Sequence, residues 1–132
     1  MTPDSKSEVF QVLAPYAAAL TANDPEKMIA AYHDDAVIHY FGSNPFAGTV
    51  KGKTALLEVF KRIRQKVNRR IMSVVDLLIG QEYGVVIVLE RWERDGSAVE
   101  LERVFRYKVG DGKILEVWAY DRDQALVDRL LS

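Results

Sequence analysis

Residues 83–109, YGVVIVLERWERDGSAVELERVFRYKV, read as two long strands joined at Asp95-Gly96. The run is rich in β-branched and aromatic residues, and Asp-Gly between such runs is a strong short-range hairpin signal. At the centre of the first strand both parities are apolar, with Val85, Ile87 and Leu89 on one side and Val86 and Val88 on the other. A sheet with one wet face would alternate more, so the strands are expected to be covered on both faces. A homodimer contact on the outer face would supply the second cover. In the second strand Val99, Leu101, Phe105 and Tyr107 share a face with Arg103, opposite Glu100, Glu102, Arg106 and Lys108.

Outward from this hairpin, RIMSVVDLLIG before it and KILEVWAY after it complete four long antiparallel strands. On the last of them Leu115, Val117 and Ala119 share a face that ends in Asp121, opposite Glu116, Trp118 and Tyr120. Towards the N-terminus the period changes from two to that of a helix. Leu56, Phe60, Ile63 and Val67 line one side of a helix predicted from Thr54 to Asn68. Val9, Leu13, Tyr16 and Leu20 line another, from about Ser5 to Thr21, with Ser5 and Glu8 spaced as a capping box and Pro15 as a kink. Asp24 and Pro25 open a short second helix reaching Tyr32, a strand follows around His39, and FGSNPFAGT forms an ordered loop. The tail, DRDQALVDRLLS, is predicted to be a last helix packing Ala125, Leu126 and Leu130. Helices followed by a long antiparallel meander imply one α+β domain over residues 1–132, with N-terminal helices packed on a curved sheet.

Composition narrows the functional classes. With 132 residues the chain is long enough for a real core, and 18 Lys and Arg against 19 Asp and Glu give no overall field to attract nucleic acid or an anionic membrane. The basic helix KGKTALLEVFKRIRQKVNRR carries its charges on the face left over from its apolar stripe, with no aromatic interleaved for base stacking. Nucleic acid is therefore not an expected partner. The absence of cysteine excludes thiolate chemistry, and two histidines are too few for a dedicated metal site. The opening residues lack the apolar run of a signal peptide and no segment reaches membrane-spanning length, which points to a soluble cytoplasmic protein.

Four chemically active side chains interrupt apolar stripes: Tyr16, His39 between Val37 and Phe41, Arg103, and Asp121. A charge in an apolar interior must pair, reach water or line a cavity, so Arg103 and Asp121 form either a structural ion pair or part of a ligand site. His39, with a reference pKa of about 6.5, or a desolvated Asp121 can act as base, whereas Tyr16 and Tyr40, with a reference near 10, are better donors. Arg103 stays charged and suits a developing enolate or alkoxide. His33, beside Asp34 and Asp35, reads as a solvated helix terminus.

The segments AALTANDPEK, YHDDAVIHYFGSNPFAGTVKGKTALLEVF and GDGKILEVWAYDRDQ together resemble the nuclear transport factor 2-like superfamily over essentially the whole chain. The spacing H-Y-F-G, N-P-F-A-G, K-G and the ending EVWAYDRDQALVD are most similar to SnoaL-like polyketide cyclases and ketosteroid-isomerase-related proteins. The resemblance implies a cone-shaped, cystatin-like α+β barrel, a pocket between helices and concave sheet, and a homodimer through the sheet's outer face. It implies that Tyr16 donates to an enolate oxygen and that an acid near the end of the last strand, at Asp121 or less closely Asp123, is the base. The catalytic aspartate of the steroid isomerases falls on Tyr40 or His39, and their second acid on Arg103, so that constellation is not reproduced. The arginine and aspartate of limonene epoxide hydrolases are likewise absent, with Leu101 and Arg103 in their places.

The expected function is cofactor-independent acid/base chemistry, isomerase-, cyclase- or hydrolase-like, on a small apolar carbonyl compound. Its expected site comprises His39, Asp121, Tyr16 and Arg103, with Tyr40, Phe41, Phe60, Leu101, Phe105, Val117 and Ala119 against the ligand and neither metal nor cofactor. The alternative is a non-catalytic ligand-binding or dimerisation module of the same fold.

Overall fold

The computed structural model describes residues 7–132, so the expected cap at Ser5 lies outside the described residues. Helix α1 (Glu8–Thr21) is instead capped by Ser7, whose hydroxyl accepts from the Phe10 N–H, and the helix continues through the exposed Pro15. Helix α2 (Pro25–Ala30) is capped by Asp24, and Tyr32 belongs not to it but to strand β1 (Tyr32–Tyr40). The turn-rich loop ends in a short strand, β2 (Gly48–Lys51), that pairs antiparallel with β1 before helix α3 (Lys53–Lys66). The four long strands are β3 (Asn68–Ile79), β4 (Tyr83–Arg94), β5 (Ser97–Gly110) and β6 (Lys113–Asp121), followed by helix α4 (Gln124–Leu131). In α4 the buried residues are Val127 and Leu131, with Leu126 and Leu130 beside them, while the expected core residue Ala125 is exposed.

The six strands form one open sheet in the order β2-β1-β6-β5-β4-β3. It is mixed, because β1 runs parallel to β6 while every other neighbouring pair is antiparallel. The helices cover one face, with α1 against β3, β4 and β5, and α3 against β1. Register fixes which side chains share that inner face, since directly paired residues point the same way. One inner row runs Ile38, Val117, Tyr107, Gly84, and the next runs Tyr40, Ala119, Phe105, Val86. Gly84 is glycine because a Cβ there would collide with the Leu13 and Val9 side chains of α1.

Bulges interrupt two of the strands, and the one in β6 corrects the expected inward face. Strand β6 skips a residue between Lys108 and Val109 of its partner, so Ile114 rather than Leu115 turns inward and is fully buried. Strand β3 skips at Met72 and Val75, which are left among the exposed large apolar side chains. A bulge leaves one residue unpaired and bends its strand, which curves the sheet around the helices. The outer face retains Leu78, Tyr83, Tyr120 and Phe41 as exposed apolar groups, and Val85, Ile87 and Leu89 half-buried.

Candidate functional site

A cavity of about 280 Å³ lies between the inner face of the sheet and α1, α2 and α3. Its walls are mostly apolar, with Leu20, Ile38, Phe60, Val88, Phe105 and Val117 among them. Polar groups cluster in two places on its lining, one of hydroxyls and one of charges.

The hydroxyl cluster joins Tyr16 of α1, Tyr32 of β1 and Tyr107 of β5. The Tyr16 and Tyr32 oxygens are 2.8 Å apart, and Tyr107 donates to Tyr16 at 3.4 Å. The rings meet edge to face, with centroids 5.8 Å apart for Tyr16 and Tyr32 and 5.3 Å for Tyr16 and Tyr107. Burial holds all three phenols well above their ordinary pKa, so they remain neutral donors. Three O–H protons serve two internal hydrogen bonds, which leaves one, on Tyr16 or Tyr32, for a ligand.

The charged cluster is built on Glu90 and Arg103, the two buried charged residues of the described chain. Arg103 Nε and Nη2 donate to Asp121 Oδ1 and Oδ2 at 2.6 and 3.2 Å, a bidentate pair. Glu90 Oε1 accepts from Arg69 Nε and Trp92 Nε1, both at 3.0 Å, and lies 3.6 Å from Arg103 Nη1. The Arg103 guanidinium is centred 5.0 Å from both the Trp92 and the Phe105 ring, faces that favour a cation. Burial opposes the charge on Glu90, yet Arg69 and Arg103 outweigh it and hold the carboxyl below its usual range. Burial likewise opposes the charge on Arg103, but Glu90 and Asp121 raise its affinity for the proton. The other Glu90 oxygen, Oε2, is buried with no hydrogen-bond partner among the described residues.

Tyr40 lines the cavity close to this cluster, its phenol raised by burial and lowered in part by Arg69 and Arg103. Among the described residues, no three His, Cys, Asp or Glu side chains gather as they would around a metal ion.

Of the residues expected from sequence, Tyr16, Arg103, Tyr40, Phe60, Phe105 and Val117 line this cavity. Asp121 sits behind Arg103 with both oxygens occupied, so it is not a free base. Leu101 is buried in a second apolar cluster with Trp92 and Ile63, and Ala119 is buried on the inner face without lining the cavity.

His39 and Phe41 are on the opposite face. His39 pairs in register with Trp118, stacks on its indole at 5.3 Å, and bonds Glu116 Oε2 at 2.5 Å and Thr49 Oγ1 at 2.9 Å. Phe41 stacks on Tyr120 at 5.3 Å and is 43% exposed. Because both parities of this strand are apolar, hydrophobicity could not tell inside from outside, and the inward set is Ala36, Ile38 and Tyr40.

Glu90, Arg69 and Arg64 were missed in the sequence, though Glu90 carried a signal. It continues the Val86 and Val88 parity into Trp92, the same interruption of an apolar stripe that singled out Arg103. Arg69 and Arg64 lie in a run of basic residues and have no comparable mark.

An open curved sheet with helices on one face and a cavity between them defines a cystatin-like, nuclear transport factor 2-like domain. The family model for the SnoaL-like domain matches residues 13–117, and the chain belongs to that family. A protein from Xanthomonas campestris with a cystatin-like fold and unknown function superposes with a TM-score of 0.85 at 19% identity, over 94% of this chain and 98% of its own. TerC, co-crystallised with polyporic acid, gives 0.79 at 17% identity over 96% and 100%. A polyketide cyclase candidate from Sinorhizobium meliloti gives 0.63 at 17% identity over 83% and 93%. No curated protein matches the sequence. No helix among the described residues is long and apolar enough to cross a membrane.

Proposed function

We propose that the chain is a cofactor-independent acid/base enzyme, isomerase- or cyclase-like, whose base is Glu90 rather than His39 or Asp121. The observation that carries this reading is the unpartnered Oε2 of Glu90, a buried residue that contributes to the wall of a largely apolar cavity. A buried carboxylate oxygen with unspent lone pairs costs stability unless something accepts its service. In the proposed step Oε2 takes a proton from the carbon beside a ligand carbonyl. The C–H pair becomes a C=C bond and the carbonyl pair moves to oxygen, where a tyrosine hydroxyl donates. Return of the proton at a conjugated carbon gives an isomer; alternatively the enolate carbon attacks a second carbonyl of the same molecule, closing a ring and re-forming the first carbonyl, and the new alkoxide takes the proton back from Glu90.

Arg69 and Arg103 make Glu90 a weak base that is fully ionised at neutral pH. A weak base matches an already acidic carbon, such as one between two carbonyls. The TerC complex and the Sinorhizobium relative support small-molecule and polyketide chemistry as the class to search. The test is deuterium incorporation from D2O into a panel of 1,3-dicarbonyl compounds, followed by proton NMR. Glu90→Gln is expected to slow exchange at least about 100-fold and His39→Ala to leave it unchanged. Equal exchange by Glu90→Gln and the parent chain overturns the assignment.

A second reading, a pocket that binds without reacting, is favoured by the pairing of both site carboxylates with arginine. It predicts thermal stabilisation by ligand with no exchange. A homodimer through the outer face belongs to either reading, supported by the exposed apolar groups there. Light scattering tests it.

A further inference from the structure

We infer that the ligand of this cavity carries a planar oxyanion, a carboxylate on an apolar body, read by Arg64 of α3 and Arg69 of β3. The inference rests on the cavity being a small-molecule site, as proposed above, and is independent of whether any reaction follows. Arg64 lines the cavity, and its guanidinium makes no ion pair or hydrogen bond to the described residues. Arg69 also lines it and spends only Nε, on Glu90, while its side chain is 24% exposed. The two forks thus leave several N–H donors unspent at a wall that is otherwise mostly hydrocarbon.

Charge makes the same point. Arg64, Arg69 and Arg103 face Glu90 and Asp121, so the site carries one positive charge in excess. Asp121 is fully engaged by Arg103, and Glu90 Oε1 is shared by Arg69, Trp92 and Arg103. The excess therefore resides on Arg64 and the free edge of Arg69. The Asn23 amide, contributed by the α1–α2 turn, is held by the Ile71 backbone through both its atoms and carries no charge. A guanidinium fork matches a two-oxygen planar anion better than it matches a neutral carbonyl.

The experiment compares 2-naphthoate with the nearly isosteric 2-naphthamide, titrated into the full chain at low salt and followed by calorimetry and ligand-observed NMR. Naphthoate is expected to bind at least about tenfold tighter, equivalent to about 1.4 kcal/mol. Arg64→Gln, on an exposed position, should abolish that preference while leaving naphthamide affinity within about twofold. Arg64→Lys, which keeps the charge and loses the fork, should retain part of it. Equal affinity for the two probes, tighter binding of naphthamide, full preference in Arg64→Gln, or no binding of either probe would each overturn the inference. Selective binding without deuterium exchange would remove the catalytic reading and leave this one standing. Exchange without selectivity would do the reverse.

Discussion

In one polar cluster Tyr16, Tyr32 and Tyr107 hold three neutral hydroxyls together; in the other, Arg69, Glu90 and Arg103, with Asp121 behind Arg103, form a network of ion pairs. Both are buried, yet burial acts on them in opposite ways. It strengthens the hold of the phenols on their protons, so nothing in that cluster changes charge in the ordinary pH range. In the charged cluster it opposes the charges on Glu90 and Arg103, and both persist because opposite charges beside them outweigh it. A neutral cluster can lose one member at the cost of a hydrogen bond, whereas a charged cluster that loses one leaves its partner stranded.

Arg103→Ala offers the sharpest break. Removing the partner of Asp121 and one neighbour of Glu90 is expected to destabilise the chain by about 3–5 kcal/mol in urea unfolding. A loss similar to that of a tyrosine hydroxyl would erase the distinction between the clusters. Acid titration sharpens it next. Glu90 has a lowered folded pKa, so its ionisation contributes stability that is fully present above the unfolded value of about 4.3 and is lost as pH falls through the folded value. Glu90→Gln should remove part of the dependence on pH below about 4, and an unaltered acid limb would mean that the arginines do not hold the carboxylate as described.

Tyr16→Phe takes the central hydroxyl from the other cluster and leaves Tyr107 and Tyr32 without their shared partner. A cost of about 1–2 kcal/mol is expected, with the same value at pH 5 and pH 8. The smallest effect belongs to His39→Ala on the outer face. It should change stability by less than about 1 kcal/mol and leave ligand affinity in the cavity untouched. A large loss of affinity would return His39 to the site.

The helix faces and the four long strands were legible because hydrophobic period survives in a single sequence, whereas the start of β1 at Tyr32 and the short β2 were not. Tyr16 and Arg103 were legible for a related reason, each a polar side chain in a stripe whose inward direction was unambiguous. His39 was not, since Val37 and Phe41 on its side of β1 are balanced by Ile38 and Tyr40 on the other. Only the pairing of β1 with β6, a contact between segments more than 70 residues apart, decides the matter. Leu115 failed for another reason, a bulge that shifts parity within one strand and leaves no mark in composition. Glu90 was within reach of the same counting that found Arg103, had the β4 stripe been followed past Val88 to Trp92.

Asn23, whose backbone sits at φ 51°, uses its side chain to give one hydrogen bond and receive another at Ile71, as a neighbouring strand would. Strand β3 is a terminal strand of the sheet, and such edges invite strands from other molecules. A foreign strand seeking to extend the sheet at Ile71 must first evict this amide and then follow two bulges. The turn that borders the cavity thereby doubles as a guard against polymerisation.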